Sequence, residues 1–442
     1  IVTSAALIVV VVAGSFAFAD IVLIKALGLG VAIAVALDAT IVRALLVPST
    51  MRLLGDRNWW MPERLRRALP PLLACVVLVG CSASGRILAN EQASQPPVVT
   101  PSLAPSRPPD PQPVVLPRDE APHDRLTEWW YYTGHLHADD GRRFGFEFVI
   151  FRAERGSFPV TWASHLALTD ENEGRFMYDQ RSEIGPQVDL DPERFSGYTL
   201  AIGGTDDRGV PATAEPWRML GGNGRDLLQA FTENFGFTLI LTATRPGVVP
   251  HDGDGWVDFG AAGGSYYYSR TRMTAEGTLN LDGTELQVEG TAWFDHQWGD
   301  FIAVGGGGWD WFAVSLDDGT DLTLSLVRDA DGSFPLVYGT LVQPDGQVEH
   351  LPREAFSVEA TRTWTSPHTA AVYPSGWTIT VPAEDLTITL TPSLPDQELD
   401  TRATTGAVYW EGSQVVEASR AGEPLGGEAY VELTGYLDSA TQ

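Results

Sequence analysis

Along residues 123–442 hydrophobic and polar positions alternate in short runs, among them Phe144–Phe151, Phe237–Thr244, Thr278–Gly290, Trp311–Leu316, Leu322–Val327, Trp377–Val381 and Leu386–Leu390. A period of two puts successive side chains on opposite faces of a strand, and no long stretch here carries the 3.6-residue period of a helix. Between the runs stand Asp140-Gly141, Asp282-Gly283, Asp318-Gly319, Asp331-Gly332 and Asp345-Gly346, pairs suited to tight hairpin turns. The pattern predicts antiparallel β-structure. About 320 residues are too many for one barrel, so two barrel-like halves are expected, over 123–302 and 303–442.

Upstream the pattern changes. Residues 1–19 and 21–37 are apolar almost throughout and, with the ATIVRALLVPS that follows, are long enough to predict two membrane-spanning helices within residues 1–60. Lys25, Asp38 and Arg43 are costly in lipid and belong against protein or at an interface. The run over residues 27–62 (LGLGVAIAVALDATIVRALLVPSTMRLLGDRNWWMP) resembles the C-terminal end of MMPL-type transporters of the RND superfamily. Two helices are too few for transport. The segment therefore reads as a fusion remnant of a transporter, an anchor, or upstream sequence misassigned to this gene.

From Met61 a second signal begins: Arg64, Arg66 and Arg67, then an apolar stretch from Ala68 to Gly80, then Leu78-Val79-Gly80-Cys81 followed by Ser82. This is the layout of a bacterial lipoprotein leader over residues 61–81, in which Cys81 is lipidated after cleavage before it. Residues 82–122 are rich in Ser, Ala, Gln and Pro, a composition that cannot bury a core and favours extended geometry. They are expected to tether a folded domain off the membrane, on its extracytoplasmic side.

Composition sharpens this division. Lys25 is the only lysine, all eight histidines lie at or beyond His123, and beyond residue 122 there are 19 arginines against 49 acids. So acidic a domain repels phosphate backbones, which argues against nucleic acid as a partner. Cys75 and Cys81 are the only cysteines, so the β region has no disulfide, thiolate metal site or cysteine nucleophile.

Three ordered blocks resemble the carotenoid 1,2-hydratase/AttH-like family: His123 through Gly134 (HDRLTEWWYYTG), Ser265 through Met273 (SYYYSRTRM) and Gly290 through Gly299 (GTAWFDHQWG). Ser164-His165-Leu166 and Trp309-Asp310-Trp311-Phe312 keep the expected order around them. The resemblance spans nearly all of 123–442 and implies an all-β fold of tandem lipocalin-like barrels. Members include hydratases that add water to an isolated carbon–carbon double bond, related pericyclases, and proteins labelled secreted hydrolases.

Alkene hydration needs an acid to protonate carbon, a surface that tolerates a tertiary carbocation, and a base that delivers water. Aromatic faces meet the second need, and carboxyls or histidine with pKa values moved towards neutrality meet the others. Asp295-His296-Gln297-Trp298 places acid, base and aromatic within four residues. Strand alternation turns Asp295 and Gln297 to one face and His296 and Trp298 to the other. The resemblance implies functional roles for His296 and Trp298, which match the hydratases' His-x-Trp pair. Their Tyr-x-Asp finds only Val327-Arg328-Asp329 here, a departure that weakens hydratase activity specifically.

The catalytic candidates are thus His296 and Trp298, with Asp295 and Asp310 as acids. Trp130, Tyr131, His165, Tyr267, Trp309 and Trp311 either line an apolar ligand cavity or pack as core. Alternation leaves open whether Glu128 and Glu147 face inward. No cofactor or metal is expected. Gly-x-Ser-x-Gly, His-Glu-x-x-His, Walker and dinucleotide motifs are missing, and His135-x-His137 beside a turn is too little for a metal site. The expected partner is a terpenoid or lipid-like molecule, either hydrated or simply carried. Hydrolysis rests only on the family's label.

Overall fold

The Asp-Gly pairs turn the chain where alternation predicts hairpins. At Asp282-Gly283 both φ angles are positive, 50° and 80°, which joins two strands of 18 and 16 residues, Gly264–Leu281 and Thr284–Gly299. The computed structural model describes residues 109–155, 159–184, 197–203, 215–301 and 307–437, together with Ile33. The membrane spans expected within residues 1–60, Cys81, and the tether up to residue 108 lie outside the described residues. The chain divides after Ser106 into two units, and both β-sheets belong to the second.

The expected all-β architecture is present. Among the described residues twelve strands form the first sheet: β1 (Thr127–Ala138), β2 (Arg143–Ala153), β3 (Thr161–Asp170), β4 (Arg175–Ile184), β5 (Tyr198–Ile202), β6 (Trp217–Gly221), β7 (Arg225–Phe231), β8 (Phe235–Ala243), β9 (Val249–Pro250), β10 (Trp256–Asp258), β11 (Gly264–Leu281) and β12 (Thr284–Gly299). Its order is β4-β3-β2-β1-β12-β11-β8-β7-β6-β5, with β9 and β10 beside β11. The two ends meet: Glu183 of β4 accepts the Gly203 N–H at 3.0 Å, and Arg181 donates to the Glu215 and Phe231 carbonyls.

Among the described residues eleven strands form the second sheet: β13 (Gly308–Leu316), β14 (Asp321–Arg328), β15 (Leu336–Val342), β16 (Val348–Pro352), β17 (Ser357–Thr365), β18 (Val372–Val381), β19 (Leu386–Pro392), β20 (Glu398–Thr401), β21 (Ala407–Arg420), β22 (Glu423–Leu425) and β23 (Gly427–Thr434). Its order is β16-β15-β14-β13-β23-β21-β19-β18-β17, with β20 and β22 beside β21.

Each sheet wraps its own core. Trp130, Tyr132, Phe146, Phe148, Phe237 and Phe294 fill the first, and Phe312, Val314, Trp377, Ile388 and Trp410 fill the second. Each such ring or aliphatic side chain contributes about 1.5–3 kcal/mol by burial. A third cluster, Tyr131, Val149, Trp293, Trp311, Ala313 and Tyr430, lies where the sheets face each other. Strands β1, β2, β12, β13, β21 and β23 are therefore covered on both faces, one by a barrel core and one by the seam. Gly145 permits the close approach, since a Cβ there would lie 2.7 Å from Ser413 Cβ.

The expected tether ends earlier than residue 122. Residues 109–122 pack on the first barrel: Asp110 pairs with Arg125 and accepts from Tyr266, and Val114 and Leu116 lie against the core. Glu120 is fully buried, bonded to the buried Arg270, while its carbonyl accepts from Trp130 Nε1 at 3.1 Å. The physical reason is Arg270. A guanidinium that deep requires a carboxylate, and the sequence supplies it from this segment.

Candidate functional site

Alternation along β12 sends its two sets of side chains to different places. His296 and Trp298 point into the first barrel, and Trp293, Asp295 and Gln297 point away from it, the first two of them into the seam. The predicted residues therefore do not form one site. Trp130 joins His296 and Trp298, Asp295 joins Tyr131, Tyr267, Trp309 and Trp311, His165 stands behind this second group, and Asp310 lies apart from both.

In the seam Asp295 is buried and accepts hydrogen bonds from Tyr267 OH, Ser269 OH and, at 2.6 Å, Trp293 Nε1. Burial raises its pKa to about 6 against the pull of these three donors, so it is mostly carboxylate at neutral pH. Trp311 Nε1 donates to Tyr267 OH at 3.0 Å, and the Trp311 ring meets Tyr131 and Trp293 edge-on at 5.4 and 6.0 Å. His251 Nε2 lies 2.6 Å from Ser269 Oγ and its Nδ1 3.0 Å from Thr340 Oγ1. Ser269 thus stands between His251 and Asp295 and gives its hydroxyl to the carboxylate, the wrong order for a histidine-activated nucleophile.

Two further acids face this group in reciprocal pairs. Tyr131 of the first sheet donates to Glu411 Oε1 of the second at 2.7 Å, and Tyr409 of the second donates to Glu147 Oε1 of the first at 3.0 Å. The other oxygen of each carboxyl, Glu411 Oε2 and Glu147 Oε2, is buried without a partner among the described residues. Burial, reinforced for Glu147 by Glu432 and for Glu411 by Glu147, raises Glu147 to about 8 and Glu411 well above the carboxyl range. Glu147 is therefore mostly protonated at pH 7, and Glu411 is pushed in the same direction. Glu432, bonded to Trp309 Nε1 at 3.0 Å, is raised by burial to about 7.

His165 supports this arrangement from behind. Its Nδ1 is 2.8 Å from Tyr409 OH and its Nε2 3.0 Å from Thr404 Oγ1, and burial lowers its pKa to about 3. Neutral His165 thus ties Tyr409, the donor to Glu147 Oε1, to Thr404 behind it. Asp310 points into the second barrel, where it accepts from Tyr436 OH at 2.9 Å and pairs with Arg328 at 3.3 Å. Its pKa is raised to about 6 by burial, and among the described residues its bonds go to Tyr436 and Arg328.

In the first barrel His296 Nε2 lies 3.0 Å from Glu128 Oε1 and Nδ1 3.1 Å from Tyr268 OH, between the rings of Trp130 and Trp298 at 4.7 and 4.6 Å. His123 Nδ1 reaches the same Glu128 oxygen at 2.7 Å, and its ring stacks parallel on Trp298 at 4.1 Å. Burial, opposed by Glu128, lowers His296 to about 4, so it is a neutral imidazole. Glu128, His296 and Trp130 are fully buried.

Sequence reasoning missed His123, Tyr268, Glu411 and Glu432 and left Glu128 and Glu147 undecided. A signal was present for the acids: Trp410-Glu411-Gly412 and Val431-Glu432-Leu433 each set one carboxylate inside an apolar strand. Two spaces touch the seam. A void of about 20 Å³, room for one water, is lined by His135, Trp293, Glu428 and Tyr430, and a cleft of about 200 Å³ has Ser269, Arg245 and Val342 in its wall.

The AttH-like family model matches residues 107–436 and the MMPL family model residues 1–76. Among solved structures, an AttH-family protein of Nitrosomonas europaea is 32% identical, with a TM-score of 0.63 over 74% of this chain and 98% of that one. Kievitone hydratase of Nectria haematococca shares the fold at 16% identity and a TM-score of 0.54, over 73% and 93% of the two chains. The trehalose monomycolate exporter of Mycobacterium tuberculosis is 42% identical over 124 residues, 28% of this chain, and a membrane protein of Streptomyces coelicolor 53% identical over 68. The chain spans only about 12% of the length of that exporter.

Proposed function

Because this chain belongs to the AttH-like family over residues 107–436, we propose that its β domain hydrates a carbon–carbon double bond of an apolar, isoprenoid-like molecule, with the seam between the sheets as the reaction site. The observation that carries this reading is the pairing of unlike carboxyls. Glu147 is a neutral acid and Glu411 is pushed the same way, each with one carboxyl oxygen that has no partner among the described residues, and Asp295, whose charge acts on Glu411, is a carboxylate fixed by three donors. Carboxyls driven to opposite protonation states divide acid and base work between them.

In this mechanism a Glu147 or Glu411 hydroxyl protonates the less substituted alkene carbon, and the faces of Tyr131, Trp293 and Trp311 stabilise the tertiary cation. Water adds to the cation and gives its proton to Asp295. Return of that proton to the glutamate closes the cycle, and the sum is alkene plus water to tertiary alcohol. The named activity of the kievitone hydratase relative is of the same reaction class. The substrate enters by separation of the facing side chains, since the seam is packed.

Incubated with acyclic isoprenoids in heavy-oxygen water, the full chain should form tertiary alcohols carrying one heavy oxygen. Of Glu147→Gln and Glu411→Gln, the one that removes the proton donor should lower turnover by ~10²–10⁴-fold, the usual worth of a positioned acid, and the other by less. Isoprenoids that bind and return unchanged would establish a carrier instead. For placement, we propose that the leader ending at Cys81 holds the domain on the extracytoplasmic face of a membrane, a reading supported by the lipoprotein-type layout before Cys81 and the MMPL match at residues 1–76.

A further inference from the structure

We infer that His123, Glu128 and His296 form a binding site for one divalent transition metal ion of the zinc class, separate from the seam. One donor atom from each lies within 4.8 Å of the others, and both imidazole contacts converge on a single carboxylate oxygen, Glu128 Oε1, at 2.7 and 3.0 Å. Two imidazoles and one carboxylate form a donor set that suits zinc and its neighbours.

The surroundings are those of ligands rather than of an incidental cluster. A metal-bound imidazole characteristically gives its other N–H to a fixed acceptor. His296 Nδ1 has Tyr268 OH at 3.1 Å, and His123 Nε2, which has no hydrogen-bond partner among the described residues, faces Asp119 Oδ1 at 3.7 Å. Glu128 Oε2 accepts the His123 backbone N–H at 2.8 Å, which leaves Oε1 for the shared point. Trp298 and Trp130 clamp the two imidazoles by stacking, so ring orientation is set before any ion arrives.

Topology gives the site a purpose. Glu128 lies at the start of β1, His296 on the adjacent β12, and His123 on the segment that enters the barrel. A metal there would staple the entering segment across β1 to β12. His123 is the partly exposed member, its side chain 18% accessible, and provides the way in. The His-x-Trp motif thereby takes a binding role: His296 as ligand and Trp298 as the wall behind His123.

The test is titration of the chelator-stripped full chain in detergent with zinc(II) and cobalt(II). One equivalent should bind with a Kd below about 1 μM, cobalt should give a visible spectrum without the near-ultraviolet thiolate band that Cys75 or Cys81 would produce, and zinc should raise Tm. His123→Gln and Glu128→Gln should weaken binding at least ~100-fold, and Tyr268→Phe, which removes only an outer partner, ~10–100-fold. His137→Gln, in the separate pair with Glu428, should leave it unchanged. Absence of one-equivalent uptake, or uptake that survives His123→Gln and Tyr268→Phe, would overturn the site and leave a hydrogen-bonded cluster only. Both variants are at the edge of the cluster, so the test stands even where Glu128→Gln fails to fold.

Discussion

At the scale of single residues, the seam acids give the domain a distinctive pH response. Their folded pKa values lie above the ordinary carboxyl range, so the folded state keeps protons that the unfolded chain has released. Stability from such groups is complete below the unfolded values and is lost as pH rises through the folded ones. For Asp295, Glu432 and Glu147 that window runs from about 4 to about 8. His165 and His251, buried and held down to about 3, act oppositely below about 6.5, where the unfolded chain takes protons they refuse. The net decline should therefore be clearest between about pH 6.5 and 8. Glu147→Gln keeps the shape and neutrality of the protonated acid and should flatten the decline by on the order of 1 kcal/mol per pH unit. Urea denaturation of both proteins across this range reads the difference, and parallel slopes would mean that Glu147 is ionised throughout.

At the scale of elements, the segment over residues 109–122 is part of the first barrel rather than the end of a tether. Its anchor is the Glu120–Arg270 pair, with both side chains almost fully buried. Burial lowers and the Glu120 carboxylate, with Tyr268 and Asp226, raises the Arg270 pKa, and the net shift is upward. Removing one partner strands the other charge, so Glu120→Ala should cost about 3–5 kcal/mol in chemical denaturation. A loss below about 1 kcal/mol would show that Asp226 or solvent replaces the carboxylate. The sequence hid this element because its prolines match the composition of the tether before it, and nothing local marks Glu120 as a core residue.

At the scale of the whole molecule, a family domain of about 330 residues follows a segment matched by a transporter family. Tethering through Cys81 predicts that palmitate labels the protein in a bacterial host and that Cys81→Ser abolishes the label. Label retained in the variant, or absent from both, would leave residues 1–60 as the membrane anchor.

The order of residues alone was enough to establish that the region beyond residue 122 is antiparallel β-structure, that Asp-Gly pairs turn its hairpins, and that Asp295 and His296 face opposite ways. These follow from a two-residue period and from local φ preferences, which act between neighbours in the chain. It also carried the family, in three blocks each around ten residues long. What each face meets was settled by tertiary packing. Alternation assigns a side but not a partner, and here both sides are buried, one in a barrel and one against a second sheet more than a hundred residues away. Glu147 became a neutral acid because packing buries it and Glu432 of the second sheet repels its charge, against the pull of the Tyr409 hydrogen bond, and Asp310, so near Trp311 in sequence, was turned by the same alternation into a different core. Burial, and with it pKa, is a property of what folds over a residue, and no run of neighbouring letters contains it.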